Sequence, residues 1–191
     1  FIPSFKVQSN SGGYKFDDPF YSRRGEGWGF NLSATIQPTD NLDINLGLIR
    51  YDEEKNWNKF EYDKVFGFYD YKKLSSSLSL GWFLNNTHEL RIKAQFYALT
   101  ADNPNAFSVS KDGKMQYSDA QLHPFELSQV AFQIRYRYEL SPLSNFYAVY
   151  TRGGYYYDND DNDMRSFGDL YSTGWNTTYS DQFILKIRYK F

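Results

Sequence analysis

Residues 74–98 read LSSSLSLGWFLNNTHELRIKAQFYA. Leu74, Leu78, Leu80, Trp82 and Leu84 alternate with Lys73, Ser75, Ser77, Ser79 and Gly81; after NNT at 85–87, Leu90, Ile92, Ala94, Phe96 and Ala98 alternate with Glu89, Arg91, Lys93 and Gln95. Successive side chains of a strand point to opposite faces, so each run is a strand with one apolar and one polar face, and the pair is a hairpin. A soluble antiparallel sandwich shows the same alternation. Length separates the two cases. Strands in soluble proteins average about five or six residues, whereas these runs hold their pattern for about ten, the length that a tilted strand needs to cross hydrocarbon.

The same period extends along the chain. Trp28, Phe30, Leu32, Ala34 and Ile36 form one apolar series, Leu42, Ile44, Leu46 and Leu48 the next, and Val130, Phe132, Ile134, Tyr136, Tyr138 and Leu140 another. Alternation is weakest in FYAVYTRGGYY at 146–156, and Phe5 with Val7 suggests a further strand near the start. PTDN (38–41), NNT and SPLSN (141–145) are short turns, while the connections at 9–26, 52–65, 100–127 and 158–181 are long and polar. Following the chain up and down puts every short turn at one end of the strands and every long connection at the other. Outer-membrane barrels have this asymmetry, with short periplasmic turns and long extracellular loops. The predicted fold class is therefore all-β: an antiparallel transmembrane β-barrel with about eight strands in residues 1–191, either a single domain or the C-terminal segment of a larger barrel.

The chain ends in QFILKIRYKF (182–191), where Phe183, Leu185, Ile187, Tyr189 and Phe191 alternate with Gln182, Ile184, Lys186, Arg188 and Lys190. A strand that holds its pattern to the last residue is expected to be paired on both edges, as in a closed barrel. The alternating aromatic terminus also resembles the signal by which the barrel assembly machinery takes up outer-membrane proteins. Trp82, Phe83, Phe183, Tyr189 and Phe191 are the expected membrane-interface aromatics and assembly signal, with Phe146 and Tyr147 beside the third turn.

Composition excludes several functions. A formal charge of −2 and a pI near 5.7 give no electrostatic basis for binding nucleic acid. With no cysteine there is no disulfide framework, thiolate metal site or cysteine nucleophile. Aromatic residues make up 20% of the chain although its mean hydropathy is −0.68, a pairing that suits strands with one greasy face. No run of apolar residues is long enough for a membrane-spanning helix, so strands are the available means of crossing. The opening FIPSFKVQSN is neither an initiator methionine nor a signal peptide, so the expectation is either a mature protein whose leader has been removed or a piece cut from a larger chain.

Side chains that could carry chemistry are few. His88 adjoins a short turn and His123 lies in a long connection with Asp119 and Ser118 nearby, a spacing that does not make a triad, so no catalytic residues or cofactor are assigned. From the acidic run YDNDDND (157–163) onward, Asp158, Asp160, Asn162 and Asp169 stand at positions one, three, five and twelve of an EF-hand-like loop. Asp163 occupies the sixth position, where a glycine must turn, so the expected state is a solvated acidic loop and calcium is the weaker reading. If the apolar faces meet lipid, Glu89, Arg91, Lys93, Arg135, Arg137, Glu139, Lys186, Arg188 and Lys190 point into the lumen. Those charges are either a ladder of ion pairs that fills a narrow interior or a basic lining that selects anionic solutes.

Four stretches, THELRIKAQFYALTADNP, SPLSNFYAVYTRGG, SFGDLYSTGW and DQFILKIRYKF, resemble the C-terminal part of an uncharacterised family of bacterial outer-membrane proteins. Longer members of that family join a periplasmic domain resembling a family 9 carbohydrate-binding module to a larger barrel. The resemblance implies that these strands are the last of a wider barrel, and that saccharides are handled if the family's binding module precedes them. The expected function is thus a porin-like or substrate-handling outer-membrane protein of a Gram-negative envelope, not an enzyme, with its C-terminus periplasmic and its long loops extracellular. The alternative is a small closed barrel with a structural or adhesive role through loops 52–65, 100–127 and 158–181, and a barrel enzyme ranks last. Outer-membrane lipid, the assembly machinery and other envelope proteins are the expected partners.

Overall fold

A computed structural model describes residues 2–11, 26–62, 65–160 and 164–190. The alternating segments form strands β1 (Ile2–Ser11), β2 (Glu26–Thr39), β3 (Leu42–Tyr62), β4 (Val65–Phe83), β5 (His88–Val109), β6 (Met115–Tyr117), β7 (Phe125–Ser141), β8 (Ser144–Asp158) and β9 (Thr178–Arg188), with one helix, α1 (Phe167–Asn176). Among the described residues no helix is long and apolar enough to cross a membrane, which bears on helices alone. All strand pairs are antiparallel, and apart from the short β6, which pairs with β5, the sheet runs in chain order from β1 to β9. Each strand therefore lies beside its neighbour in sequence, the arrangement that short turns dictate.

The three short turns lie at one end of the sheet, as expected. Asn41 links two of them: its side-chain amide donates to the Phe83 carbonyl at 2.6 Å, and its own carbonyl accepts from the Phe83 N–H at 2.8 Å. Asn85 closes the second turn by accepting from the N–H groups of Thr87 and His88 at 2.9 and 3.0 Å. The third turn places Leu143 at φ 67°, and the buried Ser144 hydroxyl accepts from the Lys190 N–H at 3.1 Å, holding the chain just beyond β9.

Register carries the apolar series across the whole sheet. Leu32 pairs with Leu48, Ala34 with Leu46, Ile44 with Leu80, Leu80 with Ile92, Ile92 with Ile134, Ile134 with Tyr150 and Tyr150 with Phe183. Phe5 and Val7 pair with Leu32 and Phe30, so the suspected first strand exists. A slip of one residue anywhere would turn a strand's apolar residues to the other face, and none occurs through this band.

Three expectations are corrected. The connections 52–65 and 100–127 are largely strand: β3 runs through to Tyr62, β4 begins at Val65 and β5 continues to Val109. Alternation fails there because bulges interrupt it, between Glu53 and Trp57 on β3 and beside Phe68 and Asp70 on β4. Asn103, at φ 48°, lies within the irregular stretch of β5 that faces this second bulge. The connection 158–181 contains α1 and the start of β9 instead of an irregular loop. Finally, the sheet is open, since among the described residues β1 and β9 stand at opposite ends of the pairing order and do not pair with each other. Along its free edge β9 leaves Phe183 66% and Ile187 68% exposed. Closure needs strand tilt and stagger around a full circle, and these strands do not complete one.

Candidate functional site: the charged face at the short-turn end

The charged residues singled out in the sequence fall on one face because they share the alternate parity of paired strands. Glu89 lies opposite Arg137, Arg91 opposite Arg135 and Lys93 opposite Gln133. Beyond them, Arg137 pairs with Tyr147 and Tyr147 with Lys186, while Asn145 pairs with both Glu139 and Arg188. Lys190 follows β9 and is fixed through its backbone to Ser144.

Glu89 is the centre of this face. Its side chain is 3% exposed and contacts three guanidiniums: Arg91, Arg137 with Nε at 3.1 Å, and Arg135 with Nη2 at 3.8 Å. Burying an unpaired carboxylate is prohibitive, so these arginines are what allow Glu89 to sit beneath them. The stoichiometry leaves positive charge in excess. A groove of about 560 Å³ lies further along the same face, where Ser75, Ser77, Gln95, Tyr97, Gln129 and Tyr155 offer hydroxyls, amides and rings.

The expected interface aromatics separate. Trp82 pairs with Leu42 and Leu90 on the apolar face, whereas Phe83 pairs with Glu89 on the charged one. Phe183 is opposite Tyr150, well inside β9, Tyr189 lies just past that strand, and Phe191 lies outside the described residues. His88 joins the apolar aromatics, bonding the Tyr136 hydroxyl and stacking on Tyr138 at 4.5 Å.

At the opposite end the acidic residues are engaged locally. Asp158 accepts from the Tyr156 hydroxyl at 2.6 Å and lies 3.5 Å from Arg165. Asp160 donates its N–H to Asp158, and Asp169 joins Ser166 in the cap of α1. Asn162 lies outside the described residues, and among those described no three acidic or histidine side chains gather as a metal site. The Ser118 hydroxyl accepts from the Ala120 N–H in a local turn.

Sequence reasoning missed α1 and its seat. Ser166 caps the helix by accepting from the Asp169 N–H, the S-x-x-D signal of a helix start that SFGD carries. Leu170 is fully buried against Phe96, Ala98 and Val130, and Trp175 meets Phe132, so α1 lies on the apolar face. The approach is close. A Cβ on Gly154 would lie 1.8 Å from the Gly174 carbonyl oxygen, and one on Gly174 would lie 2.4 Å from the Ser128 hydroxyl. Arg165 enters the helix on the buried Glu126 at 2.6 Å. At the other end Arg152 donates to the Trp175 carbonyl at 2.9 Å and stacks over its ring at 4.8 Å, placing a cation at a helix C-terminus. Between α1 and strands β2 to β7 is an apolar groove of about 790 Å³.

No curated protein and no solved structure matches the chain. Residues 4–191 match the sequence profile of a domain of unknown function, DUF5916, and with nearly its whole length matched the chain belongs to the DUF5916 family.

Proposed function

We propose that this chain is part of the wall of a bacterial outer-membrane β-barrel, with the short turns periplasmic and the loop end extracellular. In this reading the apolar face of the turn half contacts hydrocarbon and the charged face lines a lumen through which polar solutes move. The observation that carries it is the apolar band of the turn half: Ile44, Leu80, Ile92, Ile134, Tyr150 and Phe183 pair in turn across neighbouring strands, opposite a face of buried and exposed charge. The 14 to 22 residues of β2 to β5, β7 and β8 support it, because crossing hydrocarbon takes only about ten. The open edges of β1 and β9 present unpaired backbone groups that a bilayer does not tolerate, so further strands complete the ring. The groove with tyrosine, serine and glutamine side chains suits neutral hydroxylated solutes such as saccharides.

One observation favours a second reading. α1 covers the loop half of the apolar face with protein, as a soluble sheet covered by a helix would. Purification of the full natural polypeptide separates the two. The barrel reading expects extraction only with detergent and discrete conductance steps in planar bilayers; a monodisperse protein in plain buffer with no conductance supports the soluble alternative.

A further inference from the structure

We propose that Arg91, Arg135 and Arg137 form an oxyanion-binding site organised by Glu89, with phosphate, sulfate or carboxylate as the ligand chemistry. Three observations converge. First, one carboxylate serves three guanidiniums, leaving two positive charges uncompensated within the cluster. Second, Arg91 and Arg135 face each other directly across β5 and β7, where like charges destabilise a sheet, and the single Glu89 oxygen between them contacts Arg91 but stays 3.8 Å from Arg135. Third, there is room for one. Gly81 pairs with Arg91 on the next strand, and a Cβ there would meet no atom within 4 Å.

The surroundings do not remove the excess. On the same row, Val149 is the neighbour beyond Arg135, and Asp43 is a further strand away on the far side of Gly81. Lys93 adds charge one position along, and Lys186 lies across Tyr147 from Arg137. Glu139 is on the same face toward the turn, opposite Asn145. Guanidinium forks match the planar oxygens of carboxylates and phosphates, and Glu89 holds the forks in place before a ligand arrives. That transported solutes meet this site rests on the barrel reading; the binding itself does not.

The test is titration of inorganic phosphate into the full polypeptide in non-ionic detergent, read by calorimetry and by Tm against chloride at equal ionic strength. The wild-type protein should bind phosphate and gain Tm, and Arg135→Gln should weaken binding roughly tenfold or more. Gly81→Asp puts a carboxylate in the vacancy and should raise Tm without phosphate while abolishing the phosphate response, which keeps the test decisive if Arg135→Gln fails to fold. Lys114→Gln, in the turn between β5 and β6 at the opposite end of the sheet, should change nothing. Equal Tm in phosphate and chloride, an undiminished response in Gly81→Asp, or a response to phosphatidylglycerol vesicles but not to phosphate would each overturn the proposal. Conductance measured separately distinguishes its failure from that of the pore: phosphate binding without a channel sinks only the barrel reading, and a channel without phosphate binding sinks only the site.

Discussion

The two halves of β5 differ in what lies against them. From His88 to Gln95 the strand has the buried Glu89 and its arginines on one face and the half-buried Leu90, Ile92 and Ala94 on the other, of which Ala94 lines the groove beneath α1. From Phe96 onward both faces are packed by protein: Phe96 and Ala98 lie under α1, while Leu99 and Ala101 meet Tyr69 and Phe125 on the opposite side. One continuous pairing pattern thus serves two environments. The loop half is a two-sided protein core, and in the reading proposed above the apolar side of the turn half meets hydrocarbon instead of protein.

The largest expected effect tests the loop half. Leu170→Ala removes a fully buried side chain from the α1 seat and should cost about 2–5 kcal/mol, seen as loss of protease protection of residues 164–177 before the sheet melts. If that segment stays protected, α1 is not held by this core. The turn half is tested by a pair of substitutions. Ile134→Arg should cost about 2–4 kcal/mol at mid-bilayer, with Gln133→Arg, on the charged face, costing far less; equal penalties in folding titrations into lipid would erase the difference between the faces. Gly154→Ala should cost about 1–3 kcal/mol by driving a methyl group into the Gly174 carbonyl. The equivalent change at Gly81 should be nearly silent, because nothing lies beside it. The smallest effect is Ser166→Ala, about 0.5–2 kcal/mol from the lost cap, confined to α1 and visible as faster amide exchange in its first turn.

The same division explains what the sequence made legible. In the turn half the pairing is regular except beside the first and third turns, at Ile36–Thr39 and Glu139–Ser141, so Leu80, Ile92 and Ile134 announce their shared face by spacing alone, and PTDN, NNT and SPLSN announce the turns. The gathering of Glu89 with Arg91, Arg135 and Arg137 follows once the register is known, although nothing in the spacing shows that the glutamate is buried beneath the arginines. In the loop half the bulges beside Asp70 and Glu53 break the period, and polar stretches that read as loops are held in the sheet by their partners. The helix had a readable sign that periodicity overlooks. Arg50 and Arg152 sit at positions of the apolar series, and both are where α1 comes down: Arg50 over Phe167 at 5.6 Å and Arg152 over Trp175 at 4.8 Å. A charge that interrupts an apolar face marks what covers it. Whether the ring closes was not legible, because closure depends on strands paired to β1 and β9 and not on the pattern within any one strand.

The central claim is that the apolar side of the turn half faces hydrocarbon. Spin labels at Leu80 and Ile134, with Ser79 and Gln133 as partners on the charged face, test it directly in the full polypeptide reconstituted into lipid vesicles. Relaxation by oxygen should dominate at Leu80 and Ile134, and relaxation by a water-soluble nickel complex at Ser79 and Gln133. Oxygen and nickel accessibilities that fail to alternate between neighbouring positions, or nickel dominance at Leu80 and Ile134, would contradict the account.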